Sequence, residues 1–292
     1  LDVGFWSFAA LRGLAGAAAG LAYASASALV ARVTPYARRG GAMGWFSAGM
    51  FLAIPIGMPL TVVFARAGAW RGIFVAQAVF AALALFAALR AVPDVAGDEA
   101  PARWRDVLRN GPVRAGLLAT LLHVGSFFTT VQLATVWLDE TGVVPKADQV
   151  VLWVALGLLS VVGSAGLGRF ADHVGKRSFV LWCSVALVGC FLLLAQEPAA
   201  GALLAVAIVL AVAAAARTGP LQALVSGLVP ESQLSTLMGL RSAAMQGGAG
   251  LFALVATPVA GELGFRGVLY LAAICQVGSY AAIRFGVAAD RR

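Results

Sequence analysis

The sequence predicts an all-α polytopic membrane protein, and three observations carry that prediction. Apolar residues make up 61% of the 292 positions and charged residues only 12%, proportions that water-soluble domains do not show. Nine apolar runs approach or exceed the roughly 20 residues a helix needs to cross a bilayer. The formal charge of +8, from 21 basic and 13 acidic residues, would suggest a nucleic-acid partner, but the bases lie mostly in short segments between the runs. That is the pattern of positive charge at a membrane surface, so no nucleic acid is expected.

In chain order the runs are residues 6–31, 43–65, 70–92, 113–138, 149–170, 178–196, 201–228, 237–261 and 265–288. The first holds Arg12, Gly16 and Gly20, spaced so that a helix presents all three on one face. Small residues there allow a neighbouring helix to approach closely, with Arg12 either snorkelling or facing a cavity. The second run holds Pro55, Gly57 and Pro59, tolerable only in a membrane bundle that bends the helix. The third opens with Trp70, suited to the outer interface. Residues 93–112 form the long polar stretch, with Asp94, Asp98 and Glu99, and read as a linker between bundles. Within it ARWRDVLR either lies along the membrane with Trp104, Val107 and Leu108 toward lipid or is simply solvated.

The fourth run carries His123, Ser126, Thr129, Thr130 and Gln132, polar groups expected to face a bundle interior or a water-filled cavity. His123 is either a titrating proton site or a hydrogen bond between helices. The sixth run has little that is polar apart from two of the three cysteines and reads as peripheral. Cys183, Cys190 and Cys275 lack metal-ligand spacing, so no metal is expected. In the seventh run Arg217 lies deep in hydrocarbon, at a cost of about 3 kcal/mol, so it faces water, solute, a partner or the carbonyls freed by Pro220.

Between the fifth and sixth runs stands GLGRFADHVGKR, residues 166–177. The glycines permit a tight turn and close helix approach. Asp172 can accept hydrogen bonds from a neighbouring helix N-terminus, and Lys176 with Arg177 hold the loop on the cytoplasmic side. Alternate segments carry 15 Lys and Arg against 4 in the opposite set. The first set, which includes Arg241, Arg284, Arg291 and Arg292, is therefore expected in the cytoplasm together with the C-terminus.

The spacing of Gly168, Asp172, Gly175, Lys176 and Arg177 resembles the cytoplasmic loop signature of the major facilitator superfamily. RGLAGAAAG at residues 12–20 resembles the family's fourth-helix motif, in which an arginine lies toward the central cavity. AGMFLAIPIGMPL, residues 48–60, looks like the fifth-helix motif of proton-driven antiporters in the sugar- and drug-efflux branches, with Thr61 where glycine is usual. The resemblance implies a bacterial inner-membrane exporter working by alternating access. In it Asp172 latches the cytoplasmic side against the second run near Gly40 to Gly44. Candidate solute contacts are Arg12, Tyr23, His123, Thr130, Arg217 and Gln222.

A shift of 195 positions superimposes Pro35, Met43, Gly44, Ser47 and Arg71 on Pro230, Met238, Gly239, Ser242 and Arg266, so the first three runs repeat as the last three. Runs four to six have no copy in the chain. The expectation is a twelve-helix fold of two pseudo-symmetric bundles with nine helices present, helices four to twelve. Residues 1–92 then complete the first bundle, 93–112 link, and 113–292 form the second.

The function expected is export of a small organic solute, anionic or neutral, by proton antiport, with the lipid bilayer, solute and protons as partners and no cofactor. A membrane-embedded enzyme is not expected, because the two histidines lie far apart and no paired membrane carboxylates exist. The alternative is a bundle that does not transport, a receptor, scaffold or inactive remnant.

Overall fold

The computed structural model describes residues 4–92 and 102–288. Asp94, Asp98, Glu99, Arg291 and Arg292 lie outside the described residues. The helices are α1 (Phe5–Val33), α2 (Arg39–Arg66), α3 (Gly72–Ala91), α4 (Trp104–Arg109), α5 (Gly111–Thr141), α6 (Lys146–Val174), α7 (Lys176–Leu194), α8 (Ala200–Ser226) and α9 (Leu234–Gly286). Eight of them are long and apolar enough to cross a membrane.

Nine crossings were expected, and α9 explains the difference. Its 53 residues would extend about 80 Å as a straight helix, against a hydrocarbon core of about 30 Å. Gly264 interrupts it with φ 66° and ψ −173°, a conformation open to glycine and not to residues with a side chain. Two arms result, residues 234–263 and 265–286, which match the last two apolar runs.

The internal repeat reappears in the backbone at the same 195-residue offset. Short 3₁₀ turns follow Pro35 and Pro230, at Tyr36–Arg38 and Glu231–Gln233. In both copies the proline sets φ just ahead of the turn, and α1 and α8 begin in register at Phe5 and Ala200.

Apolar burial drives little helix association inside lipid, so close packing has to come from small residues. Along α5 and the first arm of α9, a side chain at Gly125 would strike the Gly248 carbonyl, and one at Gly248 the Leu121 carbonyl. One apolar cluster joins the start of α5, the end of α8 and the start of α9 through Val113, Leu224 and Leu237. A second, through Phe127, Phe191, Leu210 and Phe252, lies toward the other end.

Several expectations are corrected. Val107 is fully buried in the first cluster with Leu108 packed beside it, so this face of α4 meets protein rather than lipid, while Trp104 is exposed. Arg241, counted among the surface bases, is 1% exposed inside α9. Gln132 is exposed although its neighbours Thr129 and Thr130 are buried. α7 is half-buried, with Phe179, Leu187 and Phe191 inward and Trp182 and Leu193 outward.

Candidate functional site

Helix α2 starts with no side-chain cap of its own, which leaves its first N–H groups without intrahelical acceptors. Asp172, near the end of α6, supplies the acceptor across the chain. Its Oδ1 accepts from Gly40 N at 2.9 Å and its Oδ2 from Gly41 N at 2.8 Å. The carboxylate thus meets the positive end of the helix dipole with two charge-assisted hydrogen bonds. Glycine is required on the receiving side, because a Cβ at Gly40 would lie 2.6 Å from Asp172 Oδ1.

Lys176 Nζ sits 2.8 Å from Asp172 Oδ1, and the lysine side chain is only 5% exposed. The turn that brings it back is made at Gly175, with φ 94°, outside the reach of ordinary residues. Lys176 also stands 4.4 Å over the Tyr36 ring, a cation–π contact. Arg177 donates to the Arg284 carbonyl, tying α7 to the end of α9. Gly168 lets α6 pass against the Gly40 carbonyl and Gly44 Cα.

The same end of the molecule carries further bonds between α1–α2 and α8–α9. Arg39 Nη1 donates to Ser226 Oγ at 3.2 Å, Arg32 Nη2 to Ser235 Oγ at 3.0 Å, and Ser242 Oγ to the Gly20 carbonyl at 3.2 Å. Tyr23 OH donates to Gln222 Oε1 at 3.2 Å, which joins two of the predicted solute contacts. One face of α2 is buried from Gly40 to Phe51, with Trp45 and Gly49 exposed on the other, and beyond it the helix is half-buried or exposed, with Ile54 and Pro55 meeting Gly157 of α6. The tightest packing of α2 is therefore toward the Asp172 end.

The remaining predicted residues do not converge. Arg12 is exposed and Gly16 faces open space; of that trio only Gly20 has a neighbour, Ser242. Gly57 is likewise unpacked, its carbonyl accepting from Thr61. Pro59 is half-buried. Arg217 is fully buried within α7, α8 and α9, donating to Ser184 Oγ at 3.1 Å and Ser279 Oγ at 2.7 Å. Serine hydroxyls, not an open cavity or freed carbonyls, receive this guanidinium. Of the two arginines taken to favour an anionic or neutral solute, Arg217 is buried and Arg12 is exposed.

His123 is 2% exposed and lies between helices. Gln276 Nε2 stands 3.2 Å from its Nδ1 and 2.9 Å from Ser126 Oγ. The imidazole and the amide thus form a hydrogen-bonded bridge between α5 and the second arm of α9, joined by Ser126. The expected effect of Gln276→Leu is a loss of about 1–2 kcal/mol, two interhelical hydrogen bonds at membrane values. Thermal unfolding in detergent reads it, and an unchanged midpoint would count against the bridge. Gln276, Ser184, Ser279, Tyr36 and Ser164 escaped sequence reasoning, since nothing local marks a residue whose partner lies on a distant helix.

A helix-bundle membrane protein in which a carboxylate near the end of one helix caps the N-terminus of another defines the class. Residues 3–195, and again 151–281, match the Major Facilitator Superfamily profile. The chain belongs to the Major Facilitator Superfamily, a class of transporters rather than enzymes. A protein of Mannheimia succiniciproducens named "Probable sugar efflux transporter" is 26% identical over 250 residues, 85% of this chain and 63% of the relative. One of the same name from Helicobacter acinonychis is 26% identical over 166 residues, 56% of this chain and 42% of the relative. The chain thus spans less than two thirds of the length of both. Its fold matches the human organic anion transporter MFSD10 (TETRAN), with a TM-score of 0.69 at 19% identity, covering 89% of this chain and 67% of that one. It also matches a bacterial homologue of the iron transporter ferroportin in an outward-facing state, with a TM-score of 0.61 at 12% identity over 87% of this chain and 65% of that one.

Proposed function

We propose that this chain is the greater part of an inner-membrane exporter, helices four to twelve of twelve, that moves a small organic solute by alternating access with proton antiport. The observation that carries the reading is the Asp172 carboxylate bonded to the α2 N-terminus at Gly40 and Gly41. It is a polar contact between two helix sets, of a kind that rocking of two halves can make and break. Residues 1–92 belong to one half and 113–292 to the other, joined through 93–112. The Asp172 end and the C-terminus are cytoplasmic, so the arrangement is closed to the cytoplasm. Gly168, Asp172, Gly175, Lys176 and Arg177 act as the latch. Tyr23 and Gln222 lie at the inner end of the solute path, Thr130 lies toward the outside, and Arg12 of the fourth helix faces the path.

In this reading His123 is a structural bridge, held by Gln276. The intact gene product in proteoliposomes, loaded with a panel of sugars and neutral or anionic organic solutes, should show saturable transport that responds to an imposed pH gradient. His123→Asn should retain the gradient dependence. Absence of transport for the whole panel by folded protein would favour a receptor or scaffold; loss of gradient dependence alone in His123→Asn would return the proton to the imidazole.

A further inference from the structure

At the end opposite Asp172 the second half of the molecule encloses a cavity of about 360 Å³ between α5, α6, α8 and the second arm of α9. That volume falls in the range of sites for small organic ligands, about 300–1,000 Å³. Its walls are apolar and aromatic, with Phe127, Trp137 and Trp153 among them, and Trp137 stacks on Phe265 with ring centroids 5.3 Å apart. Ile54 of α2 completes one wall, and Pro55 packs on Gly157 beside it.

Asp148, Glu197 and Arg266 also line the cavity, but all three are exposed, and two buried polar groups interrupt the lining deeper in. Trp153 is 8% exposed and Thr130 5% exposed, and both Trp153 Nε1 and Thr130 Oγ1 are buried with no protein partner among the described residues. Ser160, also in the wall, is already satisfied, donating to the Leu156 carbonyl at 2.8 Å. A buried indole N–H normally finds an acceptor, and leaving one unmade is costly. The N–H can only donate, whereas the hydroxyl can do either.

We propose that this cavity is a binding site for a small, uncharged aromatic amphiphile carrying one hydrogen-bond acceptor, such as a ketone or ether oxygen, which takes the Trp153 N–H. The ring system lies against the aromatic wall, and Thr130 supplies the second polar contact. A free sugar is a poor fit for the buried part of the cavity, where its several hydroxyls would each need a partner and only Trp153 Nε1 and Thr130 Oγ1 are unpaired among the described residues. The site is formed mainly by the second half of the molecule, with Ile54 of the first half in its wall. Because Ile54 forms part of its wall, occupancy favours the arrangement in which α2 packs on α6. The inference concerns binding and stands apart from whether the protein transports.

The test uses the intact gene product in lipid nanodiscs with two probes, 6-propionyl-2-(dimethylamino)naphthalene, whose emission reports hydrogen bonding to its ketone, and naphthalene, which has no acceptor. Both should bind saturably above the level of empty nanodiscs, near one per protein. Trp153→Phe keeps the ring and removes the N–H, so it should weaken the ketone probe about three- to tenfold and leave naphthalene unchanged. Ala207→Trp, which fills the cavity, should abolish both, and Ala134→Phe serves if the first fails to fold. Binding no greater than empty nanodiscs, binding that survives a folded filling variant, displacement by glucose, or an equal response of both probes to Trp153→Phe would each overturn the proposal. The last outcome would mean an unselective pocket for acyl chains.

Discussion

If Asp172 acts as the proposed latch, Asp172→Asn should move the protein out of the arrangement closed at the Asp172 end. The asparagine keeps the size of the aspartate but cannot accept from Gly40 N and Gly41 N with two equivalent oxygens, and its NH₂ points a donor at groups that are themselves donors. Lys176, with a side chain 5% exposed at 2.8 Å from Asp172 Oδ1, is left as a buried ammonium with only the Tyr36 ring beside it. Hydrogen bonds to charged groups contribute about 1.5–3 kcal/mol each, and breaking a buried pair by removing one partner costs about 3–5 kcal/mol. These overlap rather than add, so about 3 kcal/mol is the expected penalty, on the order of a hundredfold in the closed-to-open ratio. Spin labels at Ala37 and His173, both exposed, would read it as a shift from one short distance to a longer population. Unchanged distances with unchanged transport would show that the contact is structural and not a latch.

Gly44→Val should act at the same end by sterics alone. The backbones of three helices cross at this residue. A side chain at Gly44 would strike the Ser164 carbonyl of α6 and lie 3.3 Å from Gly168 Cα, and one at Gly219 of α8 would lie 2.5 Å from Gly44 N. Ser164 Oγ also donates to the Gly44 carbonyl at 2.8 Å. Overpacking typically costs about 1–3 kcal/mol when side chains can shift; here the obstacle is backbone, so the upper end applies. The closed arrangement should fall about a hundredfold and turnover with it, while Gly49→Val, at an exposed position with nothing within 4 Å, should leave both intact. Equal behaviour of the two variants would remove the crossing from the mechanism.

The membrane-spanning helices were legible because hydrophobic length is a local property. The break at Gly264 was legible too, as the gap between two apolar runs, although the helical hydrogen bonding continues across it. The repeat could be read as a fixed offset, and the prolines that open both 3₁₀ turns were visible in it. The loop of residues 166–177 announced a surface turn through its charges and glycines. Polar groups inside spans marked positions that needed partners, but the partners themselves could not be named. His123 could have met water, solute or another helix, and its amide partner Gln276 lies 153 positions away.

By itself, then, the sequence determined the membrane setting, the span pattern, the pairing of the first and last three runs and the charge of the loop, since each depends on residues near one another or on internal likeness. Only the tertiary structure decided which helix end Asp172 caps, that Arg241 and Val107 are buried, that Arg217 is held by serines, and that Trp153 and Thr130 face the same apolar cavity. Those outcomes depend on which backbones can approach. In a bundle whose helices are nearly all apolar, that is settled by the placement of glycine and by the need to satisfy each buried polar group.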